Sequence, residues 1–226
     1  MAQKTLSKME KDLLENVAGL HKVPEGAYSL RVNGELFGKN SSANIVIEKK
    51  TDKPGIDIRI KDGTKNESVH IPVIVTQSGL TDMTYNDFYI GDDCDVLIVA
   101  GCGIHNCGDE ESRHDGIHTF FVGKNARVKY IERHYGEGDG TGGKNMNPTT
   151  VVNIDAGGYM EMETAQIKGV DSTDRKTKAV LGNNATLIIK EKLLTHGTQT
   201  AKTDFIVDMN GDTSGLIVAD EGRGMW

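Results

Sequence analysis

The segment from Gly101 to His118 concentrates side chains that could bind a metal or react with a substrate. Its eighteen residues include two cysteines, three histidines and four carboxylates. Thiolates and imidazoles are ligands that zinc, iron and iron–sulfur clusters prefer. The spacing is that of neither a standard zinc finger nor a ferredoxin, so the pattern predicts a site without fixing its metal. The candidate ligands are Cys102, His105, Cys107 and His114, and the alternative is a polar loop whose histidines are incidental.

Cys102 is the thiol that the sequence favours as reactive. It lies between two glycines, past the end of an apolar run, where its sulfur would be approachable and His105 would lower its pKa. His114 is predicted to lie in a loop among acidic residues, where it would act as a ligand or carry a proton. The three cysteines are an odd number, and the chain starts without an apolar signal core, which favours reduced thiols over a disulfide framework.

Two kinds of element are predicted to position these residues. Apolar residues of the first segment recur every three or four positions, which predicts an amphipathic helix over residues 3–20. They are Leu6, Met9, Leu13, Val17 and Leu20. Beyond this segment the pattern changes to alternation in short runs separated by Gly, Asn and Asp, which predicts strands. The chain is therefore predicted to have a helical segment in residues 1–22 and an all-β domain in residues 23–226.

A degenerate repeat in the second half predicts how the strands are arranged. A turn residue is followed by a small residue three positions later and by apolar residues five and seven positions later, in five copies. The turn residues are Gly91, Gly123, Asp155, Gly182 and Gly211, at intervals of 32, 32, 27 and 29 residues. One unit cannot bury its own apolar face, whereas stacked units cover one another. We predict a β-helix in which Cys94, at the small position, is a buried structural thiol, with a sandwich of hairpins as the alternative.

Composition and charge narrow the class of protein. The net charge is −7 and no stretch is more basic than Arg175–Lys178, so nucleic acid is not expected as a partner. The longest apolar run, Val96–Cys102, is about a third of the ~20 residues that a membrane span needs. We expect a soluble, cytoplasmic protein that engages no membrane.

An ordered set of motifs resembles a known family. The motifs are Val96–Gly103 with its Gly-Cys-Gly, Arg113-His114 before a strand, Val122–Tyr130, and the closing run Asp212–Val218. Over about residues 80–226 they resemble the core of the SufB/SufD proteins of the SUF iron–sulfur cluster assembly system. The resemblance implies a right-handed parallel β-helix and a scaffold that is not itself an enzyme. It also implies a SufC-like ABC-type ATPase as partner, a protein that donates persulfide sulfur, and pairing with a SufB/SufD-type chain or self-association.

The resemblance also assigns roles to single residues. Cys102 matches the family's cysteine implicated in sulfur uptake, and His114 matches the histidine a short distance after it. Cys107 and His105 match nothing in the pattern and are candidates, with His114, to hold iron or a nascent cluster, for which zinc would be a substitute. The family continues past the end of this sequence, through further β-helix with another functional cysteine and a helical region that docks the ATPase. The β-helix is therefore expected to be incomplete at its C-terminal end.

Two other classes of function remain open from the sequence. A carbohydrate-active β-helix enzyme would use Asp92, Asp93, Asp109 and Glu110 as acid and base, although aromatic residues are only 5% and few for stacking on sugars. A structural solenoid would carry no chemistry. The stretch Gly138–Asn145 approximates a phosphate-binding P-loop, but asparagine follows the lysine where serine or threonine is needed, so it is interpreted as a flexible glycine-rich loop.

Overall fold

The computed structural model describes residues 5–20, 22–211 and 214–224, and beyond residue 211 it describes the backbone alone. This part of the chain forms one helix and sixteen strands. They are α1 (Lys8–Ala18), β1 (Ala27–Val32), β2 (Glu35–Asn40), β3 (Ile45–Lys49), β4 (Gly55–Ile60), β5 (Lys65–Val75), β6 (Thr81–Ile90), β7 (Asp95–His105), β8 (Ser112–Val122), β9 (Arg127–Glu137), β10 (Lys144–Met146), β11 (Thr149–Ile154), β12 (Tyr159–Lys168), β13 (Ser172–Leu181), β14 (Thr186–His196), β15 (Thr200–Met209) and β16 (Ser214–Gly224).

The strands build a parallel β-solenoid of about five turns. The first sheet runs in the order β16-β14-β12-β9-β7-β5-β1-β2, and the second contains β13, β11, β8, β6, β4 and β3 in that order, with β10 beside β8 and β13 and with β15 on β13. From β5 onward successive turns pair in parallel, while the hairpins β1–β2 and β3–β4 at the N-terminal end are antiparallel. The predicted β-helix is therefore confirmed, and the hairpin sandwich is wrong.

The tight turn of each repeat unit connects the two sheets. In the first four units the second residue after the turn residue has a left-handed backbone, with φ of 53° at Asp93, 54° at Asn125, 71° at Gly157 and 56° at Asn184. Asparagine and aspartate tolerate this conformation better than other residues with side chains. The Gly91 and Gly123 N–H groups donate to carbonyls of the preceding turn, which stacks one corner upon the next.

The interior of the solenoid has two halves, which we call the apolar half and the polar half. The apolar half lies next to these turns and contains the predicted small and apolar repeat positions, all buried where the side chains are described. At its centre Phe88 stacks on Phe120 with ring centroids 4.4 Å apart, and Tyr130 meets Phe120 edge-on. Cys94 lies here, fully buried, as predicted.

The polar half occupies the other end of the same strands. Its inward side chains include hydroxyls, amides, imidazoles, carboxylates, a thiol and a guanidinium. Among them are Asp82, Thr84, Asn86, Cys102, His114, His118, Glu132, His134, Thr164, Gln166, Arg175 and Glu191, all buried. Cys102 also belongs to a small apolar cluster with Val73, Val75, Ile104, Met146 and Val170. The strands thus change from apolar to largely polar inward residues about halfway along their length, and some of them end on apolar residues again.

Helix α1 covers the outer face of the first sheet. It is shorter than predicted, because Ser7 and Glu10 form a capping box at its start and Gly19 ends it in a left-handed conformation. Leu13, Leu14 and Val17 are buried against the sheet, over β5, β7 and β9. The described residues include no helix of the length and apolarity that a membrane crossing requires.

Candidate functional site

Strand alternation places Cys102 inside the solenoid. It is the eighth residue of β7, with 2% of its surface exposed, and not a residue beyond the strand end as predicted. Parallel pairing aligns Cys102 with His134 of β9, and His134 with Gln166 of β12. Since side chains at the same register point to the same face, these three residues form one inward row in the polar half.

Cys102 and His114 line one small cavity in the polar half. The cavity has a volume of about 10 Å3, and His118, Glu132 and His134 also line it. Such a volume accommodates about one water molecule. His114 lies within strand β8, not in the predicted loop, and is buried.

A carboxylate orients the His114 ring. The Nδ1 atom of His114 lies 3.1 Å from Oδ2 of Asp82, and Arg31 donates to the other oxygen at 2.7 Å. Burial opposes ionisation of this carboxyl, but the hydrogen bonds from His114 and Arg31 lower the pKa of Asp82 to about 2. Asp82 is therefore a fixed negative charge beside the cavity.

A buried ion-pair network closes the other side of the cavity. Arg175 donates to Glu132 and to Glu191, each at 2.8 Å. Tyr130 donates to Glu132 at 2.9 Å, and His118 Nδ1 lies 2.8 Å from the Tyr130 hydroxyl. Burial lowers the pKa of His118 to about 4, so this ring is neutral at physiological pH. The network holds one positive charge between two negative ones inside the fold.

The environment of Cys102 keeps its proton on the sulfur. Burial, and then the negative charges of Asp82 and Glu132, raise the pKa of the Cys102 thiol well above its usual range. The prediction that His105 lowers this pKa is wrong. His105 is three residues after Cys102 in β7, so its side chain lies on the opposite face of the strand and points away from the interior. Cys102 is a shielded thiol in the closed fold.

His105 and Cys107 form a second group on the outer surface. Cys107 is exposed, and its Sγ lies 3.0 Å from Nε2 of His105. On the other side of the ring, Nδ1 of His105 lies 3.1 Å from Oε1 of Glu137. Glu137 is the direct register partner of His105 across β7 and β9. The structure thus brings the four predicted residues together as two pairs, one inside the solenoid and one outside.

This separation bears on the predicted metal site. Within the part of the chain described, His, Cys, Asp and Glu side chains form no group of three or more arranged to hold a metal ion. The four candidate ligands therefore do not surround one point in this conformation. Each pair offers one sulfur and one imidazole nitrogen.

Sequence reasoning missed Glu132, His134, Arg175 and Glu191. For Glu132, His134 and Glu191 the signal was present. The inward positions five and seven residues after each turn residue are followed by further inward positions at nine and eleven. These further positions hold Ala100 and Cys102, Glu132 and His134, Thr164 and Gln166, and Glu191 and Leu193, and all eight residues are buried. Extending the same alternation by two steps would have placed Cys102 inside.

The acidic residues of the carbohydrate-enzyme alternative lie in two groups at opposite ends of β7, so no pair can form across them. Asp92 and Asp93 lie in the turn before β7, and Asp109 and Glu110 lie in the loop after it. The eleven residues of β7 span about 35 Å. Glycosidase carboxyl groups need to be about 5 to 9.5 Å apart.

The fold and the two sites define a class of protein, a parallel β-solenoid with reduced cysteines, one shielded beside imidazoles and carboxylates and one exposed beside a histidine. No family model matches the chain. Over 185 residues, 80% of this chain, the sequence is 23% identical to the iron-sulfur cluster assembly SufBD family protein of Methanocaldococcus jannaschii. The match covers 57% of that relative, so the chain spans little more than half of its length. This distant similarity agrees with the resemblance to SufB/SufD proteins.

Proposed function

We propose that this chain takes part in iron–sulfur cluster assembly as a scaffold that catalyses no hydrolysis itself. The observation that carries the proposal is the meeting of Cys102 and His114 at one cavity inside the solenoid. The name of the archaeal relative supplies the general process, and the cavity supplies a place for it in this chain. The cluster is the cargo of such a scaffold and not its permanent cofactor.

The polar half suits the holding of sulfur. Cys102 provides a thiol for a sulfane sulfur, and the surrounding strands shield it from bulk solvent. A cavity of about 10 Å3 admits a single small atom group and no assembled cluster. We therefore propose that Cys102 accepts sulfur and that His114 shares in binding it or the incoming iron. Loading requires the cavity wall to open, because the closed cavity protects the thiol.

Iron is proposed to use few thiolates. One thiolate with imidazole and carboxylate ligands leaves labile positions, from which a cluster can pass to another protein. His114 inside and the pair Cys107 and His105 outside remain the candidates to hold iron or a nascent cluster, with zinc as a substitute. Binding would displace a thiol proton, so metal affinity should increase with pH.

The proposed partners follow from the same role. They are a SufC-like ATPase, a sulfur donor protein, and a SufB/SufD-type chain or a second copy of this one, in the cytoplasm. The edge of β15 supports the last of these, because in the described residues β15 pairs only with β13 and carries the exposed side chains of Ile206 and Met209. Light scattering that detects only monomer, together with no partner in pull-downs, would contradict the pairing.

Anaerobic reconstitution with ferrous iron and sulfide tests the proposal. The wild-type chain should develop the visible charge-transfer absorption of thiolate-bound iron, and Cys102→Ser should lose it while remaining folded by circular dichroism. Cys94→Ala is the matched control, since Cys94 is an equally buried thiol near the other end of β7 and alanine occupies its position in two other repeats. Loss of the bands in Cys94→Ala but not in Cys102→Ser would reverse the assignment. No bands in the wild type would refute the scaffold role.

A further inference from the structure

The exposed thiol of Cys107 is part of a chain of contacts in which an imidazole lies between the sulfur and a carboxylate. Its Sγ lies 3.0 Å from His105 Nε2, and His105 Nδ1 lies 3.1 Å from Glu137 Oε1. A nucleophile, an imidazole and a carboxylate that holds the other ring nitrogen are the parts of an activated thiol. The single proton of the Cys107 thiol can instead turn toward the carboxylate of Asp139, a hydrogen bond that lowers the pKa of Asp139.

The loop that carries Cys107 is held rigidly. Asn106 is fully buried, its Nδ2 donates to the carbonyl of Glu110 at 2.8 Å, and its Oδ1 accepts from the N–H of Gly108 at 3.0 Å. These bonds fix the loop around Cys107 from within. A nucleophile held in this way needs little reorganisation before it reacts.

The glycine-rich stretch Gly138–Asn145, which is not a P-loop, packs against the Cys107 loop from the next turn of the solenoid. The N–H groups of Gly140 and Gly142 donate to the carbonyls of Asn106 and Gly108. A Cβ atom at Gly138 or Gly140 would lie 2.3 Å or 2.2 Å from a carbonyl oxygen of the Cys107 loop. Glycine is required there because the two loops are stacked in contact, so the predicted flexible loop is a packed support.

The same contacts select the chemistry of the thiol. Acyl transfer needs free N–H groups to stabilise an oxyanion, but the N–H groups of Gly108, Gly140 and Gly142 donate to other atoms of the two loops. Sulfur transfer develops no oxyanion, since the leaving group is a thiolate. An internal disulfide is also disfavoured, because the other two cysteines are buried.

We propose that Cys107 is a nucleophile that accepts sulfane sulfur from a persulfide, with His105 as general base and Glu137 as positioning residue. The Cys107 sulfur attacks the outer sulfur of the donor R–S–SH while its proton passes to Nε2 of His105. A new S–S bond forms at Cys107, the S–S bond of the donor breaks, and the donor leaves as a thiolate that takes the proton from His105. The products are a Cys107 persulfide and R–SH, with no net oxidation or reduction.

This inference rests on the proposed function for its substrate class, and its test is independent of cluster formation. The reduced, metal-free chain is mixed with cysteine persulfide, and alkylation with peptide mass spectrometry follows each cysteine. Cys107, which is exposed, should gain one sulfur atom before the buried Cys102 does, and Cys94 should gain none. His105→Gln should slow the reaction about 100-fold. His196→Gln is the matched control, since His196 likewise ends a strand of the first sheet, and it should leave the rate unchanged.

A second pair of variants tests the positioning role. Glu137→Gln should slow the reaction, and Glu137→Asp should recover much of the rate because it restores a carboxylate beside the ring. Sulfur on Cys102 before Cys107, or equal rates in His105→Gln and the wild type, would overturn the inference. So would stoichiometric zinc in the wild type that Cys107→Ser loses, which would make the pair a metal site. Persulfide formation without cluster bands would instead remove only the scaffold role.

Discussion

The two halves of the solenoid interior use the same backbone for opposite purposes. Cys94, just before β7, is buried among aliphatic and aromatic side chains, whereas Cys102, near the end of β7, is buried beside carboxylates and imidazoles. In the apolar half each side chain gains from leaving water. In the polar half each group needs a partner, because an unpaired buried charge costs several kcal/mol. The comparison teaches that the apolar half stabilises the fold, whereas the polar half positions the side chains of the candidate site.

The largest loss of stability should come from a cavity in the apolar half. Phe120→Ala removes a fully buried ring that stacks on Phe88 and contacts Tyr130, and it should lower the free energy of unfolding by about 5 kcal/mol. The adjacent Phe121 points outward with 41% of its surface exposed, so Phe121→Ala should cost about 1 kcal/mol or less. Urea denaturation of both variants measures the difference, and similar losses would mean that the aromatic stack is not the centre of the fold.

The second effect should come from breaking the ion pairs of the polar half. Arg175→Met leaves Glu132 and Glu191 buried without their positive partner, and it should cost about 4 kcal/mol. Adding Glu132→Gln should recover part of the loss, because it removes one of the stranded charges. Lys176→Met, at an exposed neighbouring position, serves as control. If Arg175→Met were neutral in thermal denaturation, the network would contribute nothing that methionine packing does not replace.

The third effect is a pH dependence to which buried groups of the polar half should contribute. The pKa of His118 is about 4 in the fold against 6.5 ordinarily, because of its burial. Between these values the unfolded chain binds the extra proton, so up to about 3 kcal/mol of stability, fully present above pH 6.5, is lost as the pH falls to 4. Asp82, with a pKa of about 2 against 3.8, adds a further loss between pH 3.8 and 2.

Denaturation midpoints measured across this range test the contribution of His118. His118→Gln should reduce the dependence between pH 6.5 and 4 and leave the lower part unchanged, and the remainder should come from His70 and His134, whose pKa values are also lowered by burial. His196→Gln, at an exposed strand end, should behave as the wild type. An unchanged slope in His118→Gln would show that other groups take up the proton.

The sequence predicted the solenoid well because its signal is repeated. The turn residues, the small position and the first two inward positions recur in every unit of the sequence, and the structure follows them in the four units whose side chains it describes. The 32-residue spacing also predicts neighbours across turns. Asp82 and His114, Cys102 and His134, and His105 and Glu137 are each separated by 32 residues and pair in register. Applied to the site, the same spacing would have found Glu137.

The site itself was harder to predict because one local pattern has two physical causes. Glycine on both sides of Cys102 suggests a loop, since glycine is unfavourable within strands. In the structure Gly101 and Gly103 belong to β7, and a Cβ atom at Gly101 would lie 2.6 Å from the carbonyl oxygen of Val17. The glycines are there to admit helix α1, which is about 80 residues away in the sequence. Local pattern cannot reveal such a contact.

The covering of β7 by helix α1 has a consequence for hydrogen exchange. The segment Gly101–Gly103 pairs with β5 on one side and with β9 on the other, and the helix lies across its outer face. Its amide hydrogens reach deuterated solvent only when two neighbouring strands separate, and release of the helix alone leaves both ladders intact. These amides should therefore be among the slowest to exchange in the chain. The backbone that holds Cys102 should stay protected even when the N-terminal helix detaches.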